Sequence, residues 1–168
     1  MNIKDPVEVV FDTSVIIGAI LEDWGKEEGS SRDALNSIIK CRNHILRISN
    51  AINNECINHF HFDGFYSNLI LKTLLGPLES ENKIKRISYR SKDINLKVSV
   101  LEHDRHVAEA AVAVKTLSLE KNALPKKKRI RKGITVCLVT KNLRHFEPEE
   151  MRRNHDISVL TPEEYVDP

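Results

Sequence analysis

The chain has 168 residues, with 26 Lys or Arg against 24 Asp or Glu, so its formal net charge of +2 says little about partners. A 40% hydrophobic and 30% charged composition fits a soluble globule, slightly on the charged side. The three cysteines, Cys41, Cys56 and Cys137, are far apart and form no CxxC pair. That argues against a disulfide framework or a zinc ribbon and for a reducing, cytoplasmic setting. The start, MNIKDPVEVV, carries two acids and a proline and does not read as a signal peptide. No apolar run approaches a membrane span. The length suggests one domain over 1–168, large enough to bury about 70% of its unfolded surface without a staple.

The elements begin with residues 7–11, a β-branched and aromatic run that reads as a strand buried on both faces. Val15, Ile16, Ala19 and Ile20 recur at helical spacing, with Thr13 or Ser14 as a cap. Asp12 therefore sits where a buried strand ends and a helix begins. A carboxylate among apolar residues needs a partner, either a metal ion or a helix N–H. Residues 22–31 are polar and read as a loop, with Ser31 able to cap an amphipathic helix over 32–42. Residues 45–48 are a short strand, and Ser49 or Asn50 opens a helix striped by Ile52, Cys56 and Phe60. Glu55 borders that stripe, with His59 one turn on.

The spacing predicts a further helix over 65–75, ended by Gly76-Pro77, then a segment of mixed character over 79–100. Val107, Ala110, Ala111, Val114 and Leu117 define one face of the next helix, with Asp104 on that face in the first turn. The helix macrodipole tolerates an acid there. Pro125 breaks the helix, and a basic loop insertion at about 124–133 follows: Lys126, Lys127, Lys128, Arg129, Ile130, Arg131 and Lys132. Residues 134–140 form the second strong strand, with Lys141-Asn142 at its end. Residues 146–154 read as a loop or short helix and 157–160 as a last strand. Thr161-Pro162-Glu163-Glu164 is a helix-start signature.

Apolar strands alternating with amphipathic helices indicate a parallel α/β sheet. Right-handed crossovers bring strand ends and helix starts to one edge, where ligands bind in open sheets. Asp12, Asp104 and Asn142 map to that edge, and Glu55 reaches it from early in its helix. Three convergent carboxylates make an oxygen-rich pocket of the kind magnesium and manganese prefer. Such an ion activates water and stabilises charge on a phosphoryl oxygen.

The motifs VVFDTSVI, NNECINHF, HDRHVAEAA and CLVTKNLRHF, with a terminal VLTPEEY, come in an order that resembles the PIN-domain nucleases along nearly the whole chain. The resemblance implies a three-layer α/β/α sandwich on a parallel sheet of about five strands. It also implies a metal-dependent ribonuclease with Asp12, Glu55 and Asp104 as catalytic metal ligands for Mg²⁺ or Mn²⁺. Toxin nucleases of toxin–antitoxin pairs and RNA-processing nucleases are the settings it suggests. RNA, an antitoxin protein and a second copy of the chain are the partners. The departure is Asn142, where many members carry an acid. Others have Asn there and an acid three residues later, but this chain has His145.

Simpler readings stand beside these. Asp12 and Asp104 could each cap a helix, Glu55 alone would be a surface glutamate, and Asn142 a turn residue. His59, His61, His103, His106 and His145 read as ordinary, partly exposed histidines. The basic run is most simply a solvated loop, though clustered Lys and Arg also suit phosphate contacts. The rival function is a PIN-like module without catalysis that binds RNA or a partner protein. An aspartate-nucleophile phosphotransfer domain is disfavoured, because Ser14 stands where the second acid is needed.

Overall fold

The computed structural model describes residues 6–60, 64–123 and 134–167. Its centre is a five-stranded parallel sheet in the order β3-β2-β1-β4-β5. The strands are β1 (Val7–Phe11), β2 (His44–Ser49), β3 (Ile84–Ile87), β4 (Thr135–Val139) and β5 (Ile157–Leu160). The helices are α1 (Thr13–Asp23), α2 (Ser31–Lys40), α3 (Asn50–His59), α4 (Gly64–Ser80), α5 (Arg105–Ala123), α6 (Pro148–His155) and α7 (Pro162–Val166). This is the expected three-layer α/β/α architecture.

The order β1, β2, β3 grows in one direction and β4, β5 in the other. Right-handed crossovers therefore place α1 to α4 on one face and α5 and α6 on the opposite face. Helix α5 touches all five strands, and α2 packs between α1 and α7. Strands β1 and β4 carry the buried centre: Val9, Val10, Phe11, Val136, Leu138 and Val139 are each at most 1% exposed. Glu8 is buried within β1 because Arg47 of β2 holds both its oxygens, one through Nη2 at 2.8 Å. Among the described residues no helix is long and apolar enough to cross a membrane.

Three expectations need correction or refinement. Helix α4 runs through Gly76-Pro77 and ends at Ser80. Pro77 has no N–H for the Thr73 carbonyl, and both residues lie on the exposed side of the helix, where water can serve that carbonyl. Leu74, Leu75 and Leu78 meanwhile bury the opposite face. The segment of mixed character contains β3, an edge strand whose two middle residues are exposed. Beyond β3 comes a coil anchored by Tyr89, Ile94, Leu96, Val98 and Val100 against the core. Asp104 belongs to a 3₁₀ turn (Glu102–Asp104) that leads into α5. Thr161 closes the expected capping box with Glu164. The basic run, Lys126 to Lys132, lies outside the described residues.

Leu78 is fully buried where α4 continues past its proline. Leu78→Ala should cost about 2–5 kcal/mol in urea unfolding. A loss under about 1 kcal/mol would show that the end of α4 contributes no packing.

Candidate active site

The sheet order reverses between β1 and β4, and the backbone N–H of Asp12 donates to the Val139 carbonyl at 2.9 Å, continuing the ladder to the strand ends. A crevice opens beyond that point. It is a cavity of about 370 Å³ lined by Asp12, Thr13, Ser14, Gly18, Glu27, Glu55, His59, His103, Asp104, Lys141 and Asn142. Each acid arrives on a different element: Asp12 from the end of β1, Glu55 from α3, Asp104 from the turn before α5.

Asp12 is only 3% exposed; it stands at the N-cap position of α1, where its carbonyl accepts from the Val15 N–H at 3.0 Å but its side chain makes no cap hydrogen bond. Its Oδ2 accepts from Ser14 Oγ and from Thr140 Oγ1, both at 2.7 Å. Each hydroxyl is itself oriented by the loop after β4. Thr140 Oγ1 accepts from the Asn142 N–H at 2.9 Å, and Ser14 Oγ from the Lys141 N–H at 3.3 Å. Glu55 Oε2 accepts from Thr13 Oγ1 at 2.5 Å and lies 2.9 Å from His106 Nε2, an approach not aligned as a hydrogen bond. Asp104 Oδ2 lies 2.7 Å from His145 Nδ1 and 3.1 Å from His103 Nε2.

Burial pushes the Asp12 carboxyl above its ordinary range of about 3.8, and the charge of Asp104 pushes it further up. The Ser14 and Thr140 hydroxyls offset only part of this. The pocket therefore holds negative charge that neutral donors do not balance. Cys56, beside Glu55, is no rival nucleophile: burial, and then the Glu55 and Asp12 charges, push its thiol up to about 12.

A neighbouring cavity of about 390 Å³ is lined in part by Tyr89, Ser91, Arg105, His106 and Glu109. It is of similar size, yet its buried acid is already balanced. Glu109 takes Ser91 Oγ at 2.7 Å on both oxygens and Arg105 Nε at 2.9 Å. The unbalanced charge belongs to the first cavity.

The structure thus brings Asp12, Glu55 and Asp104 around one crevice, with exposed Asn142 at its lip. The reading of the histidines needs correction for three of them. His106 faces Glu55, and His103 and His145 face Asp104. His59 lines the cavity, and His61 lies outside the described residues. Also missed were Thr13, Thr140, and Lys141, which pairs with Glu27 in the cavity wall. The Asp-Thr-Ser run and the Thr before Lys141-Asn142 carried the only signal for the hydroxyls. The histidines carried none, because their acids come from other elements or from an adjacent position that spacing rules ignore.

The sequence matches no family model and no curated protein. The fold does match solved structures. The PIN domain of T. brucei RRP44 aligns with a TM-score of 0.52 over 97% of this chain and 80% of that one, at 12% identity. This chain therefore has a PIN-like fold.

Because the Asp12 pKa is raised, the native state keeps a proton that the unfolded chain releases above about pH 3.8. Stability from this group is present below that value and is lost as pH rises through the raised one. Asp12→Asn keeps a carbonyl acceptor for both hydroxyls and removes the charge. In chelator-treated protein the variant should melt at or above the wild type at pH 7, and the gap should close as pH falls towards 3.8. A clearly lower melting point at pH 7 would mark Asp12 as a structural acceptor only.

Proposed function

We propose that this chain is a metal-dependent endoribonuclease that hydrolyses RNA phosphodiester bonds, with Asp12, Glu55 and Asp104 as its metal ligands. The observation that carries the reading is that these three carboxylates, each from a different element, line one crevice at the sheet's reversal point. The donor set fits a hard divalent ion, Mg²⁺ or Mn²⁺: three acids, one of them buried, with no cation balancing Asp12 among the described residues. The PIN-like fold supports the same reading.

A divalent ion held there supplies Lewis acidity toward a phosphoryl oxygen and lowers the pKa of water. The chain's own residues fix the geometry. Ser14 and Thr140 pin one oxygen of Asp12, leaving the other for a ligand, and Thr13 turns Glu55 into the crevice. Lys141, paired with Glu27 at the wall, offers positive charge beside an incoming phosphate. The same chemistry serves a toxin of a toxin–antitoxin pair and an RNA-processing enzyme. A non-catalytic RNA- or protein-binding module is the second reading. It is favoured by neutral Asn142 and by the imidazoles that already contact Glu55 and Asp104.

Glu55→Gln and Asp104→Asn should each reduce Mn²⁺-dependent cleavage of labelled RNA by about 100-fold or more, since loss of even an outer-shell partner commonly costs about 10–100-fold. Wild-type rates in either variant would remove these acids from the site. No chelator-sensitive cleavage by the wild type would put the binding module first.

RNA affinity is proposed to draw on the basic run. Replacing Lys126, Lys127, Lys128 and Arg129 with serine should weaken binding across sequences and flatten the log–log salt dependence by about 0.7 per lost contact. An unchanged slope would leave the run as solvated surface.

A further inference from the structure

Beside the carboxylate crevice stands a second donor group of different chemistry. His103 Nε2, Asp104 Oδ2 and His145 Nδ1 all lie within 4.8 Å of one another. The carboxylate oxygen is 2.7 Å from one imidazole nitrogen and 3.1 Å from the other, and the two rings meet edge to face at 5.6 Å. One oxygen thus draws two imidazoles that belong to separate elements, the turn before α5 and the turn after β4 (Leu143–His145). Around a four-coordinate ion with bonds of about 2.0–2.1 Å, ligand atoms sit about 3.3 Å apart. Two of the separations, 2.7 and 3.1 Å, fall near that spacing, and the third is within 4.8 Å.

We infer that His103, Asp104 and His145 form a site for a borderline-soft first-row ion of the Zn²⁺ class, distinct from the all-carboxylate position. Two imidazoles with one carboxylate select such ions over Mg²⁺, which takes oxygen donors and keeps its waters. The open side, where His103 is largely exposed, leaves a position for water or a phosphate oxygen. His145 then supplies, as a neutral nitrogen ligand, a second cation position that Asn142 cannot. The inference rests on the nuclease reading only in that Asp104 is shared.

The test is direct metal binding to chelator-treated protein, without RNA. Co²⁺ added to the wild type should give visible d–d absorption that Zn²⁺ abolishes. Zn²⁺ affinity by calorimetry should fall about tenfold or more in His103→Gln and in His145→Gln. Glu55→Gln should leave Zn²⁺ affinity unchanged and weaken Mn²⁺ instead. His103 is on the surface, so its variant tests the site without threatening the fold. Unchanged Zn²⁺ affinity in the His103→Gln, His145→Gln double variant would overturn the site. So would equal loss of Zn²⁺ in Glu55→Gln, which would place the ion among the carboxylates. Mn²⁺-dependent cleavage without this Zn²⁺ site would sink the inference alone. The Zn²⁺ site without any cleavage would sink the nuclease reading alone.

Discussion

The fold closes around one acid that no cation among the described residues balances. Asp12 stands where the sheet reverses, between the two central strands, and its carboxylate joins the loop after β4 to the start of α1 through two hydroxyls. A buried charge served only by neutral donors is costly. The same strand shows the alternative four residues earlier. Glu8 points the same way along the pleat, is equally buried, and is matched by Arg47. Glu109 is matched by Arg105 in the same manner. Acids that serve only the fold have been given a guanidinium. Among the described residues Asp12 has none, and that difference is what sets it apart from the carboxylates that are balanced within the fold.

Much of this was legible in the sequence because it follows from pattern and handedness. Continuous apolar strands at 7–11 and 134–140 and small-residue spacing in α5 imply a parallel sheet. Right-handed crossovers then carry Asp12, Asp104 and Asn142 to one edge without any coordinate. Strand β3 was hidden because an edge strand with two exposed central residues has no apolar run to betray it. Pro77 misled for a related reason. Local chemistry says stop, but the burial of Leu78 outweighs it, and only the tertiary structure shows which side of the helix faces water.

The imidazoles were illegible for a deeper reason. His145 and Asp104 are 41 residues apart, and nothing periodic links them. Their meeting depends on two short 3₁₀ turns that end at the same edge of the sheet. Once there, each does electrostatic work. Glu55 and Asp104 would face Asp12 across the crevice as repelling charges, and an imidazole next to each supplies a polar neighbour in place of a metal ion. The chain thereby keeps an acidic crevice without leaving all three acids to burial alone. With a metal bound as proposed, the same imidazoles would raise the nitrogen content of the site and shift its preference among ions.

On the proposed nuclease reading, the topology would separate holding RNA from cutting it. Helix α5 starts at the acidic crevice and runs 19 residues, about 28 Å, to Ala123. Strand β4 starts at Thr135 and returns to the crevice over 5 residues, about 17 Å. Both anchors of the basic run therefore lie at the sheet edge opposite the acids. A phosphate bound close to those anchors is remote from one at Asp12, so a substrate that profits from both must be long enough to pass from one edge to the other. On the proposed reading a short oligonucleotide in the crevice would gain only what Lys141 and the three acids offer. On the proposed reading the basic residues would act on affinity and on the minimum length of RNA, and the three acids on the bond.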